Sequence, residues 1–344
     1  MAKTNNTTVK HISVALQGGG SHGEFTWGVL DRLLQQEDLV LEGFCGTSAG
    51  AMNATILAHG LQLGGREKAR ELLRLFWTKI SKASAQSMMQ PTWLDKMMGK
   101  GNMDFSPGYL IGELMGMFLS PYQTGMGDKN PLRDILLSIV DFEKLKSCTK
   151  TKLFVCATDV KAGKAKVFDM THISVDAVMA SGCLPFMFKA VNINGVDYWD
   201  GGYMGNPPIS PLINKTDTTD ILIVQINPIV IKETPTTPID IRDRVNEINF
   251  NASLILEMDK LELISRMIDA GLNFDEKLFR KINIHNINPE NDIAHYNVSS
   301  KINASAEFLE YLFHLGTNYA DEWITKNYND IGKKSTCDVK KTFL

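Results

Sequence analysis

Ser48 stands between two glycines in the run Gly46-Thr47-Ser48-Ala49-Gly50, with an apolar stretch before it and the small-residue stretch Ala51-Met52-Asn53-Ala54 after it. Glycines two places before and two places after a serine let a strand and a helix close around a sharp turn. That turn leaves the hydroxyl exposed. Such a serine is a candidate nucleophile, and a nucleophilic hydroxyl needs a base to take its proton. The plainer reading of the same five residues is a small-residue packing turn.

Two further clusters could supply the missing chemistry. Gly18-Gly19-Gly20-Ser21-His22-Gly23 also falls between an apolar strand-like run and a helical one. Without Cβ atoms, backbone N–H groups can approach a ligand, and the start of the following helix favours negative charge. The cluster therefore reads as an anion site, and two functions compete for it. Gly18, Gly20 and Gly23 fit a dinucleotide-binding G-x-G-x-x-G pattern with Glu42 as the downstream acid, which would make a nucleotide-dependent oxidoreductase. Alternatively Gly18, Gly19, Gly20, Ser21 and Gly23 form an oxyanion hole for acyl transfer. Asp200-Gly201-Gly202 follows Tyr198-Trp199. Alone it is an ordinary Asp-Gly turn. Two glycines would also let the backbone turn away and leave the carboxylate facing a cleft. An apolar surrounding raises a carboxyl pKa and makes it a better base near neutrality.

A conventional hydrolase triad runs Ser, then Asp or Glu, then His. After Asp200 the histidines are His285, in a strand-like run, His295, in a polar loop, and His314, among leucine and tyrosine on a helical pattern. His295 suits a triad best by setting, yet no motif supports any of the three. His22 reads as a residue that positions its loop or touches substrate.

The elements that must hold these residues alternate. Residues 11–17 and 39–45 read as buried strands, each followed by a helical pattern (24–36 and 49–60, the latter ended by Gly60), with a further amphipathic helix at 66–80. This order predicts an α/β fold with a largely parallel sheet. Residues 81–130 break the rhythm and carry Met88, Met89, Met97, Met98, Met103, Met115, Met117 and Met126. Methionine adapts to irregular apolar shapes, so the segment reads as a mobile lid or acyl-chain surface, or as an irregular helical cover. Helices are expected at 130–140, with Asn130 as cap and Pro131 first, and at 174–182, ended by Gly182. Strands are expected at 152–160, 164–169, 196–202, 220–228 and 281–287, with long helical patterns at 239–271 and 306–327, the last weakened at Gly316. No internal repeat or domain boundary stands out.

The 344 residues suffice for one large α/β domain. A net charge of −3 gives no electrostatic basis for gripping nucleic acid. The lysine groups at 144–152 and 333–341 read as solvated loops, or as a weak contact with anionic headgroups at a membrane periphery. Five cysteines (45, 148, 156, 183, 337) show no metal-ligand spacing, and their odd count suits a reducing compartment. With no signal-peptide core and no apolar run of spanning length, the expected location is the cytoplasm. The oligomeric state is not legible.

Taken in order, the strand followed by "GGGSHG", then "GTSAG", then "DGG", resembles the patatin-like phospholipases, whose signatures are G-G-G-x-K/R-G, G-x-S-x-G and D-G-G/A. The similarity runs between the motifs through "NPLRDIL", "LFVCATDVKAGKAKVF" and "ASGCLPFMFKAV" and covers roughly residues 11–228, leaving 229–344 as a mainly helical extension packed on the same domain. The resemblance implies a three-layer α/β/α sandwich and a Ser48–Asp200 dyad in which Asp200 takes the serine proton with no histidine between. It implies an oxyanion hole in the glycine loop, with Gly46, Gly50, Gly201 and Gly202 supporting the turns. It also implies a lipid carboxylic ester as substrate, and neither cofactor nor metal. A catalytically silent lipid-binding relative is the third alternative, against which both Ser48 and Asp200 stand. One position departs from the pattern: His22 occupies the place of a lysine or arginine, which implies a weaker or pH-dependent positive contact to phosphate.

Overall fold

A computed structural model describes residues 9–99, 101–125, 130–272 and 280–344. Its centre is one sheet of eight strands: β1 (Lys10–Leu16), β2 (Leu39–Gly46), β3 (Lys152–Asp159), β4 (Lys164–Asp169), β5 (Val191–Ile193), β6 (Val196–Asp200), β7 (Asp220–Val224) and β8 (Asn283–Ile287). The order is β5-β6-β3-β2-β1-β7-β8, with β4 folded back along β3. β3-β2-β1-β7-β8 are parallel throughout, whereas the pairs of β4 and β6 with β3, and of β5 with β6, are antiparallel.

The central strands alternate between two cores, as a sheet covered on both faces requires. Val14, Leu16, Phe44, Val155, Leu222 and Val224 belong to one core. Their neighbours Ala15, Cys45, Phe154, Ile221 and Ile223 belong to the other. Among the described residues the helices of seven or more residues are α1 (Gly23–Leu33), α2 (Ala49–Ala85), α3 (Pro107–Phe118), α4 (Pro131–Leu137), α5 (Val175–Ser181), α6 (Pro238–Asp269) and α7 (Ala306–Asn327). α1, α2, α5 and α7 fill the first core, and Leu254 and Met258 of α6 enter the second. This is the expected three-layer arrangement with a mostly parallel sheet. Among the described residues no helix is long and apolar enough to cross a membrane.

Two glycines act differently from the expectation. Gly60 does not end its helix; the break is at Gly64 and Gly65, whose φ of −160° and 73° are non-helical. The chain folds back there, and a Cβ on Gly60 would lie 2.3 Å from Ala69 Cα. Gly316 does not weaken α7, which runs unbroken. It marks the close crossing with α1, where a Cβ on Gly316 would lie 2.0 Å from Phe25 O. The strand β5 is too short to carry a pattern of its own.

The methionine-rich segment forms a single π turn at Asp95–Gly99, then α3 and a short turn of helix at Pro121–Thr124. Met103 is buried while Met88, Met97 and Met98 are exposed, as are Leu110, Ile111 and Leu114 of α3. Met126 lies outside the described residues. The Arg242 guanidinium of α6 pairs with Glu113 and ties α3 to the body.

Candidate active site

β1 and β2 end level, with Leu16 paired to Gly46, and each runs directly into one of the glycine turns. Ligands in open α/β sheets sit off these carboxyl ends. Ser48 adopts φ 54° and ψ −123°, a conformation that costs about 1–3 kcal/mol for a residue with a side chain. The surroundings hold it there. Thr47 Oγ1 donates to Gly205 O at 2.6 Å, and the Ser48 N–H donates to Ser181 Oγ at 2.9 Å. The flanking glycines are required by contact rather than by φ. A Cβ on Gly46 would lie 2.4 Å from Gly50 O, and one on Gly50 would lie 2.2 Å from Leu16 O.

Asp200 closes β6. Its N–H donates to Cys183 O and its carbonyl accepts from Thr158 Oγ1, both at 2.8 Å, so the backbone is held from two sides. Gly201 lies against the Cys156 carbonyl, and Gly202 against the ring of Phe250 from α6. The carboxylate is fully buried. Its Oδ1 accepts the Gly202 N–H at 2.7 Å, while Oδ2 has no hydrogen-bond partner of normal geometry. Burial pushes the Asp200 pKa up to about 7, opposed by the Gly202 N–H and by the nearby Ser48 hydroxyl. The Ser48 hydroxyl is thus close enough to act on the carboxylate without yet closing a hydrogen bond to Oδ2.

In the glycine loop the N–H groups are not equivalent. That of Gly18 is committed to Asn206 Oδ1 at 2.7 Å, and that of Gly23 to the carbonyls of Gly20 and Ser21. Those of Gly19, Gly20 and Ser21 donate to no protein group among the described residues. Gly18 instead allows contact, since a Cβ there would lie 2.6 Å from Thr47 O and 2.7 Å from Ser48 Cβ.

His22 is not the positive contact that its place in the family pattern implies. It is 2% exposed, and its Nε2 shares a hydrogen with Ser300 Oγ at 2.8 Å. Its ring packs against Tyr296 and Phe308. Burial, with a smaller effect from Lys301, pushes its pKa down to about 3, so it is neutral. Of the triad candidates, His285 is buried between Asp220 and Thr336 on β8, and His314 is exposed beside Glu310. His295 is exposed and stacks on Tyr296. Glu42 does not face the glycine loop, because its carboxylate accepts the N–H groups of Asp217 and Thr218. That removes the acid from the dinucleotide alternative.

Several site residues carry no motif. Gln17 receives the N–H groups of Ile226 and Asn227 on Oε1 and donates to Asn206 O and Asn251 Oδ1. Asn206 and Asn227 both clamp the Gly18 peptide. Their only signal is an amide side chain just beyond a buried strand, Gln17 directly after β1 and Asn227 three residues after β7.

A family model described as Patatin-like phospholipase matches residues 14–213, more than half of the chain. No curated protein sequence matches. Among solved structures, VipD from Legionella pneumophila is similar at 16% identity and a TM-score of 0.39, over 90% of this chain and 67% of that one. The type III effector ExoU, solved with SpcU from Pseudomonas aeruginosa, is similar at 14% identity and a TM-score of 0.36, over 92% of this chain and 53% of that one. The chain thus spans about two thirds of one and half of the other. The match across residues 14–213, which holds all three glycine-bearing turns, shows that the chain belongs to the patatin-like phospholipase family of lipid ester hydrolases.

Proposed function

We propose that the chain hydrolyses lipid carboxylic esters, phospholipid, lysophospholipid or another acyl ester, by a Ser48–Asp200 dyad. The observation that carries this reading is a buried carboxylate with one free oxygen, held at a pKa of about 7 beside a strained serine. A base with that pKa is half ionised at neutrality and has enough proton affinity to assist attack. Asp200 takes the Ser48 proton as the hydroxyl oxygen adds to the ester carbonyl. The tetrahedral oxyanion accepts hydrogen bonds from the free N–H groups of Gly19, Gly20 and Ser21, each such donor being worth about 2.7–4 kcal/mol in the transition state. Collapse expels the alcohol, which recovers the proton. Water, activated by the same carboxylate, then releases the acyl group.

An open, largely apolar cleft of about 780 Å³, which Ser48 and Asp200 do not themselves line, is assigned in this reading to the acyl chain. Phe118 and Tyr122 of the methionine-rich segment line it, together with Phe186 and with Trp199 and Tyr203 on either side of Asp200 in the chain. In this reading segment 81–130 covers the acyl chain, and the exposed apolar side of α3 gives a peripheral contact with the lipid surface. The test is labelling with a fluorophosphonate, followed by hydrolysis of a lipid panel by wild type and Ser48→Ala. Absence of a Ser48 adduct in folded protein refutes the reading.

A further inference from the structure

The glycine loop rests on a part of the chain that the family model does not reach. Gly20 has φ +58°, and a Cβ on it would lie 2.2 Å from Lys301 O and 3.2 Å from Lys301 Cβ. The loop is therefore seated on the 3-10 turn Val298–Ile302, the same turn whose Ser300 hydroxyl meets His22. From this turn the Lys301 Nζ donates to Asn227 Oδ1 at 2.8 Å. Asn227 Nδ2 in turn donates to Gly18 O at 2.8 Å and to Gln17 Oε1 at 3.2 Å.

The direction of these bonds is fixed. A lysine amine tied to an amide carbonyl acts as donor, and the Gly18 carbonyl can only accept, so the Asn227 amide has one orientation that satisfies both. The Gly18 carbonyl and the Gly19 N–H belong to the same planar peptide group. Every bond in the series therefore points the same way, from the amine to Asn227, from Asn227 to the Gly18–Gly19 peptide, and from that peptide outward through the Gly19 N–H. Successive amides in such a chain polarise one another, by roughly 10–30% per bond. A cation at its head adds to the effect. Burial lowers the Lys301 pKa, while Glu247 and Asp243 of α6 oppose this and favour the charged form.

We propose that Lys301 is a positioning residue of the oxyanion site: through Asn227 its amine orients and polarises the Gly18–Gly19 peptide, which strengthens the Gly19 N–H as a donor to developing negative charge. The inference rests on the reading that Gly19 is an oxyanion donor for attack by Ser48. It gives the C-terminal region a part in the chemistry. It also brings an amine to the loop from a position 279 residues beyond His22, which is itself buried and neutral.

The test separates oxyanion stabilisation from folding and from ground-state binding. Fluorophosphonate labelling of Ser48 in wild type first checks the reading on which the inference depends. Two ligands are then compared on wild type, Lys301→Met and Lys301→Arg: an acyl trifluoromethyl ketone, to which a serine adds as an oxyanion, and the matching ether, which cannot be attacked. Lys301→Met is expected to weaken the ketone and lower kcat about tenfold, with the ether affinity and KM unchanged. Lys301→Arg, which keeps charge and donor, is expected to restore most of both. Equal binding of the ketone to Lys301→Met and wild type overturns the proposal, as does equal weakening of ketone and ether. Should Lys301→Met fail to fold, Asn227→Leu breaks the same series one bond later, and undiminished ketone binding by that variant overturns the proposal too.

Discussion

The hydroxyl of Ser181, at the end of α5, accepts the N–H of Ser48 at 2.9 Å and so helps hold the strained turn from outside it. Ser181 is fully buried. In Ser181→Ala the Ser48 N–H loses its partner; for a fully buried donor that costs about 1–3 kcal/mol, and Ser48 is half-buried, which places the cost in the lower part of that range. The turn then has less to hold it at φ 54°. The expected outcome is a loss of about 1–2 kcal/mol in urea unfolding, together with a severalfold slower labelling of Ser48 by fluorophosphonate. Unchanged labelling would show that the turn needs no help from α5.

Asp200 makes a prediction about pH. Its pKa is raised to about 7 chiefly by burial, so the ionised base is lost as pH falls through 7. The rate kcat/KM should rise with pH through about 7 and level off above it. Asp200→Asn should lower the plateau by about two to four orders of magnitude and abolish the inflection. An inflection near 7 that survives in Asp200→Asn would place the base elsewhere.

Glu24, in the first turn of α1, tests the same physics through stability. It is 3% exposed on α1, one oxygen has no partner, and burial pushes its pKa up to about 8. A raised carboxyl pKa means that the native state holds the proton longer than the unfolded chain does. The stability it contributes is full below the unfolded value near 4.5 and is lost progressively as pH rises to 8. Glu24→Gln, which stays neutral, should therefore match wild type below pH 4.5. Above pH 8 it should be more stable by a margin on the order of a few kcal/mol. Unfolding free energies at pH 4 and pH 9 decide it.

The three histidines after Asp200 should prove dispensable for chemistry. His295→Ala and His314→Ala change exposed side chains and should keep activity of the same order. His285→Ala breaks a buried pair with Asp220, a change that costs about 3–5 kcal/mol when the remaining charge is stranded. The cost here should fall below that range, because Asp220 keeps the Gly332 N–H at 2.8 Å. Activity per folded molecule is the measurement. Its loss in His295→Ala at intact fold would establish a conventional triad.

The residues that were legible from sequence are those whose partners lie nearby in the chain. Gly46 and Gly50 meet each other across four residues, and Asp200 meets Gly202 across two, so spacing alone announces both turns. Ser181, Asn206, Asn227 and Lys301 are ordinary residue types until the fold brings them to Ser48, Gly18 or Asn227 from 74 to more than 200 positions away. His22 is the complementary case: its place in the family pattern implied a positive contact to phosphate, but Ser300, Tyr296 and Phe308 arrive from the far end of the chain to bury it and leave it holding its loop. The mostly parallel sheet followed from the alternation of elements, whereas Gly60 and Gly316 needed the packing partner to show what they do.

That last point yields a prediction in which two effects of opposite sign compete. Replacing a helical glycine by alanine gains up to about 1 kcal/mol of helix propensity. At Gly316 the new Cβ would lie 2.0 Å from Phe25 O, and at Gly28 it would lie 2.1 Å from Phe313 O, so α1 and α7 would have to separate at their crossing. The obstacle is backbone on both sides, which cannot rotate away as a side chain could. Overpacking of this kind costs about 1–3 kcal/mol or more, so Gly316→Ala should be destabilising on balance. Gly116 on α3 is the control, because nothing lies within 4 Å of its added Cβ. There only the propensity gain remains, and Gly116→Ala should be neutral or stabilising by up to about 1 kcal/mol. Urea unfolding of the two variants in parallel would overturn the argument if both moved in the same direction.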